Sequence, residues 1–396
     1  MSERTVDVEH RNAVPSPAPI FPRSGDRIPA LDGLRGLAIV MVLVMHCYVI
    51  VPTPEGLAVH DALKRSFALF FAGVDLFFVL SGFLIGGILL DHQHKPRLIP
   101  TFFVRRGLRI LPLYGLLLAS FLICRQIPSL AALSGGDYFI SPVPTWTYFA
   151  MVHNIAMSAA QHVGNYWLSP TWSLGIEEQF YLLMPFVVRR FGSRGLAYIA
   201  VWAVVICPAL RVATLLTSGN SVAATFLLPM RADALLAGVL CAVAVRDETA
   251  VGFLRRHRTL LGGLLASLAL FLVVLTTRGL SSGSPLMVTV GYTVAAAFFA
   301  GLLLWVLLFP QGIVAQFFRL RPLCAIGVVS YFIYLFHTPV FFATHWLMRN
   351  LPPLHHDWTG GAITLLALGL TGVLSIISWR WLESPLLRLG RRYSYQ

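Results

Sequence analysis

Charge is what this sequence has least of. Only 12% of its 396 residues are Asp, Glu, Lys or Arg, against about 25% in an average soluble domain. A folded surface of ordinary polarity cannot be made from so few, which excludes a soluble globular enzyme. Lysine is almost missing, with Lys64 and Lys95 standing against 28 arginines, a bias that fits a GC-rich genome. The five cysteines (Cys47, Cys124, Cys207, Cys241 and Cys324) are too few for a disulfide scaffold and fall in or beside apolar stretches, so they read as small core residues. No two histidines fall at i, i+4 within an apolar run and no cysteine cluster occurs, so no metal site is expected. Met1–Arg27 is polar and proline-rich without an apolar segment. It is therefore not a cleavable signal peptide and reads as a disordered tail.

What the chain has in excess is apolar surface: 57% of residues belong to the apolar and aromatic set, and the mean hydropathy is +0.74. Apolar runs recur at 37–52, 69–90, 108–127, 172–188, 195–216, 225–245, 259–277, 287–309, 323–347 and 361–382, each close to the ~20 residues a helix needs to cross the hydrocarbon core. The expected fold is all-α, a polytopic membrane helical bundle of about ten transmembrane helices. A weaker stretch, Tyr148–Met157, is short and holds His153 and Asn154, so it is placed in an interfacial loop.

The formal net charge of +13 would ordinarily suggest nucleic acid, but its distribution argues for topology instead. With ten spans, 22 of the 30 Lys and Arg residues fall on the side holding both termini and four on the other. By the positive-inside rule both termini are expected in the cytoplasm. An eleventh span at Tyr148–Met157 would spoil that asymmetry.

Ionisable groups inside spans cost several kcal/mol each and are functional candidates by default. Arg35 and His46 are eleven residues apart on the first span, about 16 Å along a helix and within 20° of the same face. Arg35 then sits at the cytoplasmic mouth and His46 deeper. Asp75, Glu177, Arg231 and Asp233 are placed toward the external half. Ser330, Tyr334 and His337 form one polar stripe. The expectation is an anion port at Arg35, Arg105, Arg106 and Arg109 on the inside, and further out a single cavity where Asp75, Glu177, Arg231, Asp233 and the histidines meet.

Five motifs in order carry a resemblance: Arg35 and His46 after Leu31-Asp32-Gly33-Leu34; Asp75-Leu76-Phe77-Phe78-Val79-Leu80-Ser81-Gly82-Phe83; Arg105-Arg106-Gly107-Leu108-Arg109-Ile110; Trp172-Ser173-Leu174-Gly175-Ile176-Glu177-Glu178-Gln179-Phe180-Tyr181; and Ser330 to His337. The chain resembles the acyltransferase-3 family of integral membrane O-acyltransferases over about 28–390. That resemblance implies a membrane acyltransferase domain at 28–390 between cytoplasmic tails at 1–27 and 391–396. It implies acyl-CoA, most often acetyl-CoA, as cytoplasmic donor, and a hydroxyl acceptor on a surface polysaccharide or lipid-linked glycan, or on a secreted small molecule such as a macrolide. A multi-pass protein of the bacterial plasma membrane is expected, with no nucleic-acid partner. Some family members add a C-terminal hydrolase-like domain; the expectation here is a chain without one.

Under that resemblance His46 would deprotonate the acceptor hydroxyl or carry the acyl group transiently; both fit. Arg35, Arg105, Arg106 and Arg109 would grip the phosphates of coenzyme A. Adjacent helix residues diverge by 100°, so only one of Glu177 and Glu178 can face a given cavity. The family pattern selects Glu177, with Tyr181 one turn along. Asp75 would pair with His46 or Arg231. Arg231 and Asp233 are either an ion pair or acceptor ligands, and Tyr334 and His337 contact donor or acceptor. Ser81-Gly82 is expected to let helices approach closely rather than to supply a nucleophile. The rival from another class is a proton-coupled transporter, disfavoured because no inverted repeat or matched pair of broken helices is visible.

Overall fold

A computed structural model describes residues 28–51, 58–127, 139–278, 283–349, 353 and 358–396; the tail expected at 1–27 lies outside them. The principal helices are α1 Pro29–Val44, α2 Gly73–Asp91, α3 Leu98–Cys124, α4 172–191, α5 193–218, α6 Leu228–Ala244, α7 Arg258–Thr277, α8 Tyr292–Leu308, α9 Arg321–Val328, α10 Ser330–Arg349, α11 Trp358–Ser378 and α12 Ser384–Arg391. No strand occurs among the described residues.

Among the described residues eight helical segments are long and apolar enough to cross a membrane, or nine when α9–α10, bent by 73°, is counted as one span. One of the eight is the helical stretch Ser169–Ser218, which at 1.5 Å per residue would far exceed the ~30 Å of a hydrocarbon core. Gly192, at φ 59° and ψ −168°, interrupts it; only glycine adopts this conformation without strain. Gly192 thus divides the stretch into α4 and α5; hydropathy led to an expectation of about ten spans, and by length and composition the described residues hold eight to nine. The chain is a polytopic membrane helical bundle.

In lipid the hydrophobic effect does not drive helices together, so close packing needs small residues at the crossings. The tightest crossing is α2 on α6. A methyl group at Gly82 would run into the carbonyl oxygen of Leu235, and one at Gly238 into that of Val79. This is the close approach expected at Ser81-Gly82. The α1–α9 crossing follows the same logic, with Gly36 of α1 against the Leu323 carbonyl and Gly327 of α9 against that of Asp32. Outward-facing apolar side chains such as Leu182, Trp202, Leu270 and Leu365 are exposed, as a lipid-facing surface requires.

The weak apolar stretch does not span. It forms two short helices, Trp146–Phe149 and His153–Ala160, the longer only about 12 Å in length. The segment is nevertheless firmly seated. Tyr114 donates to the Tyr148 carbonyl at 2.9 Å, His153 Nε2 donates to the Thr171 carbonyl at 2.8 Å, and Asn154 donates to the Phe226 carbonyl at 3.0 Å. The rings of Tyr148 and His153 stack at 4.7 Å. His153 is buried, and burial pushes its imidazole down to about 4. Its role is structural.

Residues 391–396 are not a free tail. Thr101 donates to the Ser394 carbonyl at 2.9 Å, and Arg105 donates to the Tyr393 carbonyl from Nε at 3.0 Å and from Nη2 at 2.5 Å. Tyr395 is buried beneath Arg105.

Candidate active site

The main pocket lies between α1, α2, α3, α4 and α10. Its polar lining comprises Arg35, Arg106 and Arg109 together with Ser81, Glu177 and Tyr181, and Ser173 and Tyr334. About 100 Å³ is free inside it, below the ~300–1,000 Å³ of a pocket that swallows a whole drug-sized ligand.

Two clusters of side chains define its chemistry. The first is cationic. Arg35 leans on Asp32 at 3.6 Å. Among the described residues no carboxylate lies within ion-pair distance of Arg106 or Arg109. Arg106 is instead held by aromatic faces, 5.5 Å from the Tyr181 ring and 5.9 Å from Phe102. Glu177 shares their pocket and interacts with both at longer range; guanidinium groups with no carboxylate in direct contact keep their donors available to an anion. The second cluster centres on Glu177, whose Oε2 accepts from Tyr181 at 2.5 Å and from Ser81 at 3.1 Å, the two hydroxyls also touching each other. Glu178 points elsewhere, its Oε1 buried without a partner. The 100° argument and the choice of Glu177 for the cavity agree with this arrangement.

In the pocket wall, Tyr334 contacts Ser173 at 2.7 Å and donates to the Pro170 carbonyl. One turn further along α10, the His337 ring lies 5.0 Å from the His46 ring, edge to face. Both imidazoles are oriented in the same way. His46 Nδ1 donates to the Val42 carbonyl at 2.9 Å, and His337 Nδ1 is shared between the Tyr334 and Ile333 carbonyls at 2.8 and 3.0 Å. A proton on Nδ1 leaves each Nε2 with a lone pair. That of His337 is buried without a partner, and His46 is only half-buried. His46 falls in a π-helical turn, Met45–Val49, where the helix widens by one residue, a local geometry often found at functional sites.

The structure separates residues that the sequence reading had joined. Glu177 does not sit in an outer cavity apart from the arginines; it shares their pocket. Asp75, Arg231 and Asp233 do not line that pocket. Arg231 Nη2 donates to Asp75 Oδ1 at 2.6 Å, and its guanidinium lies 3.9 Å from the Tyr292 ring centroid. Asp233 accepts from Arg211 at 2.9 Å and from Thr293 at 2.5 Å. Asp75 therefore pairs with Arg231 rather than His46, and Asp233 pairs with Arg211 rather than Arg231. These buried ion pairs tie α6 to α2, α5 and α8. Neither Asp75 nor Arg105 touches the pocket, the latter being occupied by residues 393–395. His46 and His337 stand next to the pocket rather than in its wall.

Ser81, Ser173 and Tyr331 in the pocket wall, and Arg211 as the partner of Asp233 outside it, are what sequence reasoning missed. Ser81 was hidden behind the packing role of Gly82. Arg211 was visible as a charge inside a span, a signal sufficient to find it but not its partner. Among the described residues no three His, Cys, Asp or Glu groups are placed to hold a metal ion.

The pocket thus brings three arginines and a hydrogen-bonded carboxylate together among membrane-spanning helices, with two imidazoles close by. A family model described as an acyltransferase domain matches residues 28–380. The chain belongs to this acyltransferase-3 family, a match to an acyltransferase domain rather than to a transporter.

Curated relatives point the same way. The chain is 24% identical over 383 residues to O-acetyltransferase OatA of Staphylococcus aureus strain NCTC 8325, covering 92% of this chain and 58% of that protein. It is 25% identical over 373 residues to peptidoglycan O-acetyltransferase OatA of Listeria monocytogenes, covering 92% of this chain and 56% of the relative. To a putative peptidoglycan O-acetyltransferase, YrhL of Bacillus subtilis, it is 28% identical over 378 residues, again covering 92% and 56%. The chain thus spans a little over half the length of these relatives. No solved structure matches it.

Proposed function

We propose that the protein is an O-acetyltransferase of the bacterial plasma membrane that takes an acetyl group from acetyl-CoA and passes it to a hydroxyl of a cell-surface glycan. Peptidoglycan is the acceptor named for two of the relatives above. The observation that carries the reading is the joining of Arg106 and Arg109, with no carboxylate in direct contact, to the Ser81–Glu177–Tyr181 cluster in one pocket. The arginines fit the phosphates of the donor. The limited space favours a short acyl thioester inside, with the nucleotide in the mouth. Arginine asymmetry in the sequence supports a cytoplasmic mouth and cytoplasmic termini.

In this reading the acceptor hydroxyl approaches from the histidine end. His46 Nε2 takes its proton as the oxygen attacks the thioester carbonyl. The oxyanion so formed is stabilised by hydroxyl donors of the pocket wall. Collapse breaks the C–S bond, and the departing thiolate recovers the proton from the His46 imidazolium, so that ester and free thiol are the products. The test is direct: membranes holding the full chain should release free thiol from acetyl-CoA when acceptor glycan is supplied, and cell glycans from a deletion strain should lose acetyl groups by mass spectrometry. Acetyl-CoA left unconsumed with acceptor present would overturn the donor assignment.

A further inference from the structure

Residues 393–395 cross a boundary that the bundle otherwise leaves thinly bridged. α2 and α3 supply two walls of the pocket, Ser81 on one and Arg106 and Arg109 on the other. α3 packs chiefly on α12 rather than on α2. A methyl group placed on Gly390 would meet the Arg105 Cα at 3.8 Å, an ordinary van der Waals contact. Beyond α12 the chain turns back across the start of α3. The Tyr395 ring enters a slot between the two walls, 4.1 Å from the His92 ring at the end of α2 and 4.6 Å from the Arg105 guanidinium on α3. It is 6% exposed. His92 is itself fixed, Nδ1 donating to the Ile88 carbonyl at 2.8 Å. Arg105 grips the Tyr393 carbonyl with two donors, and Thr101 the Ser394 carbonyl. Arg105 and Arg106 are neighbours on one helix and diverge by 100°. One therefore holds the returning segment while the other faces the pocket.

We propose that Tyr395 and Arg105 are positioning residues: by clamping the end of α2 to the start of α3 they set the spacing at which Arg106 and Arg109 hold the phosphates of the donor. Neither touches the donor. The inference rests on the acyl-CoA reading of the pocket.

The test uses the full chain purified in detergent, with coenzyme A alone as the probe. Affinity is measured by calorimetry for wild type, Tyr395→Ala, Tyr395→Phe and Arg105→Lys, alongside each protein's unfolding midpoint. Tyr395→Ala and Arg105→Lys should weaken coenzyme A binding about tenfold, through loss of the cation–π contact and of the forked hydrogen bond. Tyr395→Phe keeps the ring and should bind within about twofold of wild type. Unfolding midpoints should stay close to wild type, because the clamp lies outside the packed crossings of α2–α6 and α1–α9. Unchanged affinity in both weakened variants, against a wild type that binds, overturns the clamp and leaves the donor reading intact. A fall in midpoint that matches the fall in affinity, or failure of both variants to fold, overturns it as well by making the segment a structural strut. A wild type that does not bind coenzyme A overturns both.

Discussion

His46 and His337, from helices α1 and α10, bring their rings to 5.0 Å with each Nδ1 tied to backbone carbonyls of its own helix. Two imidazoles tied in this way each leave Nε2 with a lone pair, in rings that touch edge to face. His46→Ala should lower acyl transfer by about 10²–10⁴-fold, the range for loss of a general base, without loss of protein from the membrane. His337→Gln should lower it less, and the double variant should be no worse than His46→Ala, since residues acting as a unit are non-additive. Full activity in His46→Ala would refute the base assignment.

Arg106 and Arg109 are the arginines of the pocket with no carboxylate in direct contact among the described residues. Replacing either by Gln should weaken coenzyme A binding about tenfold or more, in line with hydrogen bonds to charged groups worth about 1.5–3 kcal/mol. Acceptor affinity should be unchanged. Calorimetric titration of each variant checks this, and equal loss for donor and acceptor would contradict it.

The Asp75–Arg231 pair is 1% exposed on both sides, and Asp75 Oδ2 and Arg231 Nε and Nη1 are buried without hydrogen-bond partners. Asp75→Ala strands a buried cation and should cost about 3–5 kcal/mol. Removing both charges in Asp75→Leu/Arg231→Met should cost much less. Unfolding midpoints in detergent separate the two outcomes; a double variant as unstable as the single would speak against a purely structural pair.

Gly82 and Ser81 are neighbours with different duties. Gly82→Val drives a side chain into the Leu235 carbonyl and should lower the amount of folded protein in the membrane. Ser81→Ala removes one donor to Glu177 and should leave abundance intact while reducing transfer. Immunoblotting paired with the thiol-release assay reads both.

His153 titrates near 6.5 when unfolded and near 4 in the fold. As pH falls, the unfolded state takes up the proton first. Its contribution is therefore complete above pH 6.5 and declines progressively down to about pH 4, by about 3 kcal/mol in all. Amide hydrogen exchange across residues 146–160 should accelerate between pH 7.5 and 5 beyond the intrinsic rate change, and His153→Gln should abolish that excess. Exchange that follows intrinsic rates alone in the wild type would show that the loop does not depend on this group.

Much of this was legible in the sequence because a membrane reduces the problem. Hydropathy located apolar helices, charge inside a span marked Glu177, Asp75, Arg231 and Asp233 for attention, and the eleven-residue spacing from His46 marked Arg35. Periodicity, however, reports which face a residue occupies, not which helix lies opposite. Asp75 could thus be assigned a face but not Arg231 as its partner, and Glu177 was placed by depth in a chamber separate from the arginines it adjoins. Arg105 was grouped with Arg106 by adjacency alone, although adjacency on a helix means divergence. The docking of residues 393–395 had no sequence signal, since it depends on contacts nearly 300 positions away.

The 73° bend between α9 and α10 has an electrostatic consequence. By breaking the helix just before Ser330 it starts a new one inside the bundle, and Ser330, Tyr331 and Tyr334 from its opening residues border the pocket. The opening turn of α4 supplies Ser173 and Leu174 to the same wall. A helix start carries roughly half a positive charge, from backbone N–H groups that have no partner within the helix. In the proposed function the start of α10 adds to the guanidiniums a fixed positive potential that needs no flexible side chain to deliver it. Part of the attraction for the proposed donor is then built into the backbone rather than into any one side chain.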